Sequence, residues 1–541
     1  MELISQHTKA IMEGCKERAR AAGLRFDAES LEYIVTNRDL LELTPKAMIP
    51  TLYDYWVHDV EVLREKGRYE LYPNNPYETV INTRPAISFY NDNNPDWLNV
   101  MIFYHVLAHI DFFQNNLFFR HTWDFDLAGQ ALADKRLIAR LRAEKGRWVD
   151  YIIEFARGID NLVGYHRELS RQHRSRATQT SARLDYYFDV FLQTERKLRP
   201  SDYLAEITRY NDCLKKYGKE VERYFFAEVL TRHPEFDSLY DKSLQQHDSE
   251  TKDLLQFLLD HSPMLQREEN KWMKSVIDVV RKTSLYFQPQ IRTKIMNEGW
   301  ASYWHEKLFL QDERIKGHEI EFARIHAGVT SLQRVGLNPY AVGLRMFQSI
   351  EDAANKGRFD DRYRRLQNAR ARRDYDAATG NGLATIFRVR EDYADFTFVN
   401  EFVDQEFVDR HKLFVVGRRL NEARMVWEYY VKSRSAEAYR QMLMANIYHP
   451  PAISVDRERT AKGPLYLNHR FEKRPLVQEF IGNTLIGIEY LWGGSVQLET
   501  SEVARISRPE AKPGRSEPPA EITWRRVIYQ SAQRKLTKVP A

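Results

Sequence analysis

Two stretches of this chain carry side chains of the kinds that bind metal ions. His105 and His109 are four residues apart, so on a helix both imidazoles reach toward one place. Glu298 and His305 are seven residues apart, which is nearly two helical turns, so they share a face. Together the four side chains form a donor set for a divalent metal, with zinc as the first choice.

The spacing of the first two histidines is that of the H-E-x-x-H zinc motif, but one position differs. Val106 stands where the motif has the glutamate that activates water. The ligand geometry is therefore present in the pattern, whereas the usual general base is absent. The alternative is that these histidines are packed residues of an aromatic core, since Trp300 and Trp304 lie four residues apart in the second stretch.

Three further polar residues are close to these stretches. Asp111 follows His109 and is expected either to orient a ligating imidazole or to mark the polar end of the helix. Ser302 lies on the stripe of Glu298 and His305. His326, on a later predicted helix, is a further candidate ligand or proton donor, with packing as the alternative.

The elements that position these residues are mainly helical. Apolar residues at helical spacing recur from residue 1 to about residue 376, with short elements at 24–95, and they predict a large helical domain over residues 1–380. Gly380 and Gly382 mark its end. A smaller α+β domain is predicted over 381–506, with strands at 396–399, 412–416, 452–455, 465–467 and 496–500. Residues 507–541 are predicted to be a Pro-rich linker and a basic tail.

Composition narrows the class of protein. The 541 residues are 43% hydrophobic and 13% aromatic, which is enough for a large core. The formal charge of +5 is small for this length, so no nucleic-acid partner is expected. The chain has two cysteines, no signal-peptide pattern and no apolar run long enough to span a membrane, and we expect a cytoplasmic protein.

The motifs resemble those of the SpoVR family, the stage V sporulation protein R group of bacteria. The resemblance extends from about residue 30 to about residue 500 and departs from the family at about 155–185 and in the C-terminal tail. The matching motifs, in chain order, are H-V-L-A-H at 105–109, D-F-F-Q-N-N at 111–116, M-N-E-G-W-A-S-Y-W-H at 296–305, F-A-R-I-H at 322–326, N-P-Y-A-V-G at 338–343 and F-R-V-R-E-D-Y at 387–393.

The resemblance implies a role in spore-cortex formation in spore formers, and a broader role in stress or stationary-phase physiology elsewhere. It implies partnership with a PrkA-type serine kinase and a von Willebrand A-like protein. The E-G-W-A segment at 298–301 is also similar to the part of gluzincin metallopeptidases that supplies the third zinc ligand. Carried over, His105, His109 and Glu298 become ligands, and Asp111 or Glu306 becomes the candidate to replace the missing base.

Two hypotheses follow. The first is a metal-dependent hydrolase of amide or peptide bonds in cell-envelope metabolism, with His305 as fourth ligand or acid/base. The second is a non-catalytic regulatory scaffold that works with the kinase and contacts it through its basic tail and an arginine-rich helix near residues 362–373.

Overall fold

The computed structural model describes most of the chain. The described ranges are residues 2–27, 29–36, 78–119, 122, 127–163, 181–196, 200–241, 253–333, 336–421, 424–471, 474–507 and 521–541. The Pro-rich segment at 508–520, predicted to be a linker, lies outside them.

Helices make up most of the described structure. They are α1 (Gln6–Ala21), α2 (Asp96–Asn115), α3 (Leu127–Lys145), α4 (Trp148–Arg157), α5 (Ala182–Asp185), a π-helix (Tyr186–Glu195), α6 (Pro200–Tyr217), α7 (Val221–Arg232), α8 (Leu254–His261), α9 (Lys271–Arg292), α10 (Lys294–Phe309), α11 (Glu319–Thr330), α12 (Pro339–Asn355), α13 (Asp361–Arg364), α14 (Ala369–Arg373), α15 (Gly382–Asp392), α16 (Asp395–Phe402), α17 (Gln405–Arg410), α18 (Ala436–Asn446), α19 (Arg457–Ala461) and α20 (Gln478–Trp492). Among the helices that the structure describes, none is both long enough and apolar enough to cross a membrane.

The strands form three sheets. They are β1 (Glu2–Leu3), β2 (Ser30–Val35), β3 (Glu78–Ile81), β4 (Ala86–Asn91), β5 (Val415–Asn421), β6 (Val426–Ser433), β7 (Ala452–Val455), β8 (Leu465–Arg470), β9 (Val496–Ser507), β10 (Glu521–Ala532) and β11 (Lys535–Pro540). The sheet orders are β1-β2-β4-β3, β5-β6 and β11-β10-β9-β8-β7. The pairs β2–β4 and β8–β9 are parallel, and the other pairs are antiparallel.

The predicted fold class, mainly helical with a smaller α+β part toward the C-terminus, is confirmed. The strands predicted at 452–455, 465–467 and 496–500 are present. The strand predicted at 396–399 is wrong, because these residues belong to helix α16. Val399 and Phe402 lie one and four residues after Phe398, so a helix places all three on one face toward the interior. In a strand, the neighbours Phe398 and Val399 would point to opposite faces.

The basic residues near the C-terminus lie in regular structure. Residues 521–541 form β10 and β11, and the alternating side chains of Val527 and Tyr529 on β10 are buried. Arg526 pairs with Glu499 of β9, and Lys538 pairs with Glu502 at 3.0 Å. Ion pairing with neighbouring strands therefore accommodates these charges within the five-stranded sheet.

Two large clusters of buried apolar side chains form the interior. The first core is built mainly by α1, α2, α10, α12, α15, α16 and α18. The second core is built by α3, α4, α8, α9, α20 and the strands β8–β10. Each contains residues from both sides of the predicted domain boundary at 380–382. A smaller third cluster joins the π-helix to α7.

Helix α2 runs through the first core and is buried on all sides. Every residue from Leu98 to Phe113 is buried, which is the pattern of an apolar helix with neighbours around its whole circumference. Pro95 precedes the helix, and Asp96 in the first turn suits its positive end. Asn116 ends it, and its side-chain amide donates to the carbonyl oxygens of Arg390 and Tyr393 near the end of α15.

Helix α10 packs beside α2 and is fixed at two points. Its first backbone N–H groups, of Ile295 and Met296, donate to the carboxylate of Asp395 at 2.8 and 2.9 Å. Burial raises the pKa of this carboxyl group to about 7. On its other side, Gly299 lies directly against Gly343 of α12, and a Cβ atom on either glycine would overlap the backbone of the facing helix. The contact sets the position of α10 along its neighbours.

We predict that Gly299→Ala destabilises the fold, because the added methyl group forces α10 and α12 apart. The free energy of unfolding should fall by about 2 kcal/mol, as for other overpacked interiors. Gly328→Ala in α11 is the matched control, since a Cβ atom there meets no other atom within 4 Å. It should be neutral or stabilising by up to about 1 kcal/mol. Equal urea-unfolding midpoints for the two variants would contradict this account of the helix contact.

Candidate metal centre

Helices α2 and α10 bring together three of the predicted ligands. The Nε2 atom of His109 is 3.6 Å from Oε2 of Glu298, and the Nε2 atom of His105 is 3.9 Å from the same oxygen. All three donor atoms lie within 4.8 Å of one another. Ligand atoms around one tetrahedral zinc are roughly 3.3 Å apart, given zinc–ligand bonds of about 2 Å. The spacing of this triad is therefore close to that of a metal site.

The carboxylate of Glu298 has a feature that fits a cation. Its Oε2 atom is buried, and none of the described residues forms a hydrogen bond with it. A carboxylate oxygen removed from water without a partner is costly, and a cation between it and the two imidazoles would satisfy it. Two imidazoles and one carboxylate are also the protein ligands of a catalytic zinc site, in which the fourth position remains open to water.

Each histidine of the triad is held by a second hydrogen bond at its other nitrogen. The Nδ1 atom of His109 lies 2.9 Å from Oδ1 of Asn297, an acceptor, so Nδ1 carries the proton and Nε2 keeps its lone pair. The Nδ1 atom of His105 lies 2.8 Å from Nδ1 of His305. Partners of this kind fix the orientation and the tautomer of ligating imidazoles.

His305 begins a chain of imidazoles that leads away from the triad. Its Nε2 atom is 2.8 Å from Nδ1 of His326, and Nε2 of His326 is 3.8 Å from Oε1 of Glu306. Burial lowers the pKa of His105 and of His305 well below the ordinary value, so both rings are neutral. With neutral rings, one arrangement satisfies the whole chain: each histidine donates toward the next group and His105 keeps the lone pair on Nε2.

The structure therefore places His305 behind His105 rather than beside Glu298. An imidazole presents its two nitrogens in diverging directions, and His305 meets the nitrogen of His105 that does not face the carboxylate. The compact group of donor atoms consists of His105, His109 and Glu298. His305 is hydrogen-bonded to His105 and lies outside this group of three.

The two candidate bases, Asp111 and Glu306, have different surroundings. Asp111 points to another part of the first core, where it accepts from the backbone N–H of Arg25 at 2.7 Å and from Nε1 of Trp300 at 2.9 Å. The guanidinium of Arg390 is 3.5 Å from it, and burial raises the pKa of Asp111 to about 6. Its bonds tie α2 to its neighbours.

Glu306 lies at the outer end of the imidazole chain. Its second carboxylate oxygen accepts from the amide of Gln348 at 3.1 Å, and burial raises its pKa. Its side chain is 30% exposed, whereas the imidazole of His305 is buried. Glu306 is thus the point at which this chain of polar groups reaches solvent.

The structure adds Asn297 and Tyr340 to the surroundings of the triad, beside Val106 and Ser302, which the sequence had already singled out. An asparagine such as Asn297 on a helix predicts no particular contact. Its side-chain amide bonds to His109 only because α2 packs against α10. The ring of Tyr340 stacks on that of His105, with 6.2 Å between the ring centroids. Val106, at the motif position of the missing glutamate, is fully buried in the first core. Ser302 is buried, and its hydroxyl forms no hydrogen bond with any residue in the described ranges.

Comparison with known proteins defines the class to which this fold and site belong. The sequence profile of the family described as "SpoVR like protein" matches residues 3–449, so the chain belongs to the SpoVR family. It is similar to "Uncharacterized protein YcgB" of Escherichia coli (strain K12), with 24% identity over 404 residues, which cover 71% of this chain and 69% of the relative. No solved structure matches this chain.

Proposed function

We propose that this SpoVR-family chain is a metal-dependent hydrolase of amide or peptide bonds that works in cell-envelope metabolism. The metal is zinc, held by His105, His109 and Glu298. The observation that carries the proposal is the buried Oε2 atom of Glu298, which has no hydrogen-bond partner in the described part of the chain and faces the Nε2 atoms of both histidines. Because the chain belongs to the SpoVR family, we propose the spore cortex as the source of the substrate in spore formers.

The residues around the triad divide the chemistry among them. A divalent cation held by this donor set would lower the pKa of a bound water to about 7. Val106 leaves the motif without its own base, so the proposal assigns the acid/base roles to His305 and Glu306. Because Nε2 of His105 would hold the metal, the proton of the water would not pass through that ring. His305 and His326 form the chain along which a proton would reach the partly exposed Glu306.

We predict that the wild-type protein, purified without chelators or a histidine tag, contains stoichiometric zinc. Glu298→Gln should lose it, because an amide oxygen lacks the charge that attracts the cation. Elemental mass spectrometry on the intact chain measures the metal directly.

Glu306→Gln is the matched control for this experiment. It makes the same chemical change on the same helix, two turns farther along and outside the triad. It should retain the zinc while impairing hydrolysis of peptide or cell-wall substrates. A Glu298→Gln protein with wild-type zinc content would exclude the proposed ligand set.

We further predict that His305→Ala weakens zinc binding about ten- to a hundredfold, as is usual when the partner of a ligating histidine is removed. His326→Ala leaves the contact between His105 and His305 in place, so its zinc affinity should remain near that of the wild type. Competition with a chromogenic chelator measures both affinities. Equal losses in the two variants would argue against the assigned role of His305.

A specific surface favours the scaffold as a second candidate function. The two-stranded sheet β5–β6 exposes aromatic side chains, with Trp427 55% and Tyr429 60% exposed. The guanidinium of Arg418 lies 5.0 Å above the ring of Trp427. Exposed aromatic groups beside arginine are typical of protein interfaces. We propose this ribbon as the contact surface for a PrkA-type serine kinase, with or without a von Willebrand A-like protein.

The scaffold function predicts that the double variant Trp427→Ser, Tyr429→Ser captures less purified PrkA-type kinase in a pull-down. Tyr224→Ser removes an aromatic side chain that is 43% exposed at a different place and should not change capture. Glu298→Gln should also capture the kinase normally, which separates this function from hydrolysis. If the double variant captures as much kinase as the wild type, the β5–β6 ribbon is not the contact surface.

A further inference from the structure

A cavity lies in a part of the fold that does not contain the triad of His105, His109 and Glu298. It has a volume of about 470 Å³ and is enclosed by α20, the strands β7, β8 and β9, the first turn of α8 and the segment after α4. Sites for small molecules commonly measure about 300–1,000 Å³. All these elements belong to the second core, whereas His105, His109 and Glu298 belong to helices of the first core.

Most of the cavity wall is apolar. Leucine and isoleucine side chains form it, among them Leu467 of β8, Leu498 of β9 and Ile481 and Leu485 of α20. At the mouth, Phe480 and Val477 are 62% and 56% exposed. Large apolar side chains that continue from an exposed mouth into an apolar cavity favour a ligand with a hydrocarbon body.

One charged side chain interrupts this wall. Arg474 lines the cavity, and its buried Nη1 atom has no hydrogen-bond partner among the residues that the structure describes. Its guanidinium forms no ion pair with a carboxylate of the described residues. A buried N–H group without an acceptor costs about 1–3 kcal/mol, and arginine cannot avoid this cost by losing its proton.

The start of α20 lies at the same mouth, and Glu479 in its first turn offsets part of the positive end of the helix dipole. Val477, the residue before the helix, has no side-chain acceptor for the first backbone N–H groups. The positive end of the helix dipole and the guanidinium of Arg474 are therefore only a few residues apart at the same mouth. The surroundings thus select for an anionic group at the mouth and an apolar group inside.

We propose that this cavity binds a medium-chain carboxylate. The carboxylate accepts hydrogen bonds from Arg474, and the hydrocarbon chain lies against the leucine and isoleucine wall. A carboxylate satisfies the guanidinium with charge-assisted bonds, and burial of the hydrocarbon chain supplies the apolar part of the affinity. The site is independent of the metal triad, so the proposal does not depend on the hydrolase function.

Calorimetric titration of the full-length protein tests the ligand class with three probes. Decanoate has both the charge and the hydrocarbon chain, decanol lacks the charge, and acetate lacks the chain. We expect decanoate to bind at least about tenfold more tightly than decanol, since one charge-assisted contact accounts for a difference of this size. Acetate should give no heat of binding. Absence of decanoate binding, or equal binding of decanol, overturns the proposal.

Two variants test the position of the site. Arg474→Gln should weaken decanoate binding about tenfold or more and leave decanol binding unchanged. Arg470→Gln removes the same charge from an exposed position at the end of β8 and should retain wild-type affinity for decanoate. Thermal unfolding checks that both variants are folded. Wild-type decanoate affinity in Arg474→Gln shows that the carboxylate is bound elsewhere and overturns the assignment.

Discussion

The burial of α2 on all sides from Leu98 to Phe113 is the constraint on which the rest of the structure depends. On a helix with a solvent-exposed face, polar side chains form hydrogen bonds with water. On a helix that is buried on all sides, each polar side chain needs a hydrogen-bond partner inside the protein. Helix α10 supplies many of these partners, since Asn297, Trp300 and His305 all bond to polar side chains of α2. Against this background, Oε2 of Glu298 stands out as a buried oxygen that no described residue satisfies with a hydrogen bond.

The position of α10 is in turn set by contacts that place no large side chain between helices. Gly299 and Gly343 bring two backbones together, and Asp395 binds the first N–H groups of the helix. These contacts determine how far along α2 the carboxylate of Glu298 lies. The geometry of the triad therefore depends on Gly343 in α12 and Asp395 in α16, which are not among the candidate ligands.

The sequence was informative where the signal is local. Histidines four residues apart and the pair Glu298 and His305 predicted two helices with polar stripes, and both helices are present. The direction in which His305 bonds could not be predicted, because it depends on the approach of α2 and α10 from distant parts of the chain. The same holds for Asn297 and for the contact between Gly299 and Gly343.

The error at 396–399 arose where two local patterns compete. The segment at 396–399 alternates aromatic and small residues as a strand does, but tertiary packing selects the helix that buries Phe398 and Val399 together. At residues 521–541, charge dominates the composition and conceals the alternation of Val527 and Tyr529. Glutamates on β9 that neutralise this charge are visible only once the strands are paired.

The distance along the chain between α2 and α10 has a consequence for folding kinetics. His105 and His305 are 200 residues apart in sequence, and the loop closure that joins them carries a large entropic cost. Local helices form much faster than contacts of this range. We therefore expect the triad to be among the last parts of the chain to form during folding. An ion that binds only the completed triad then stabilises the native state by mass action and leaves the early folding steps unchanged.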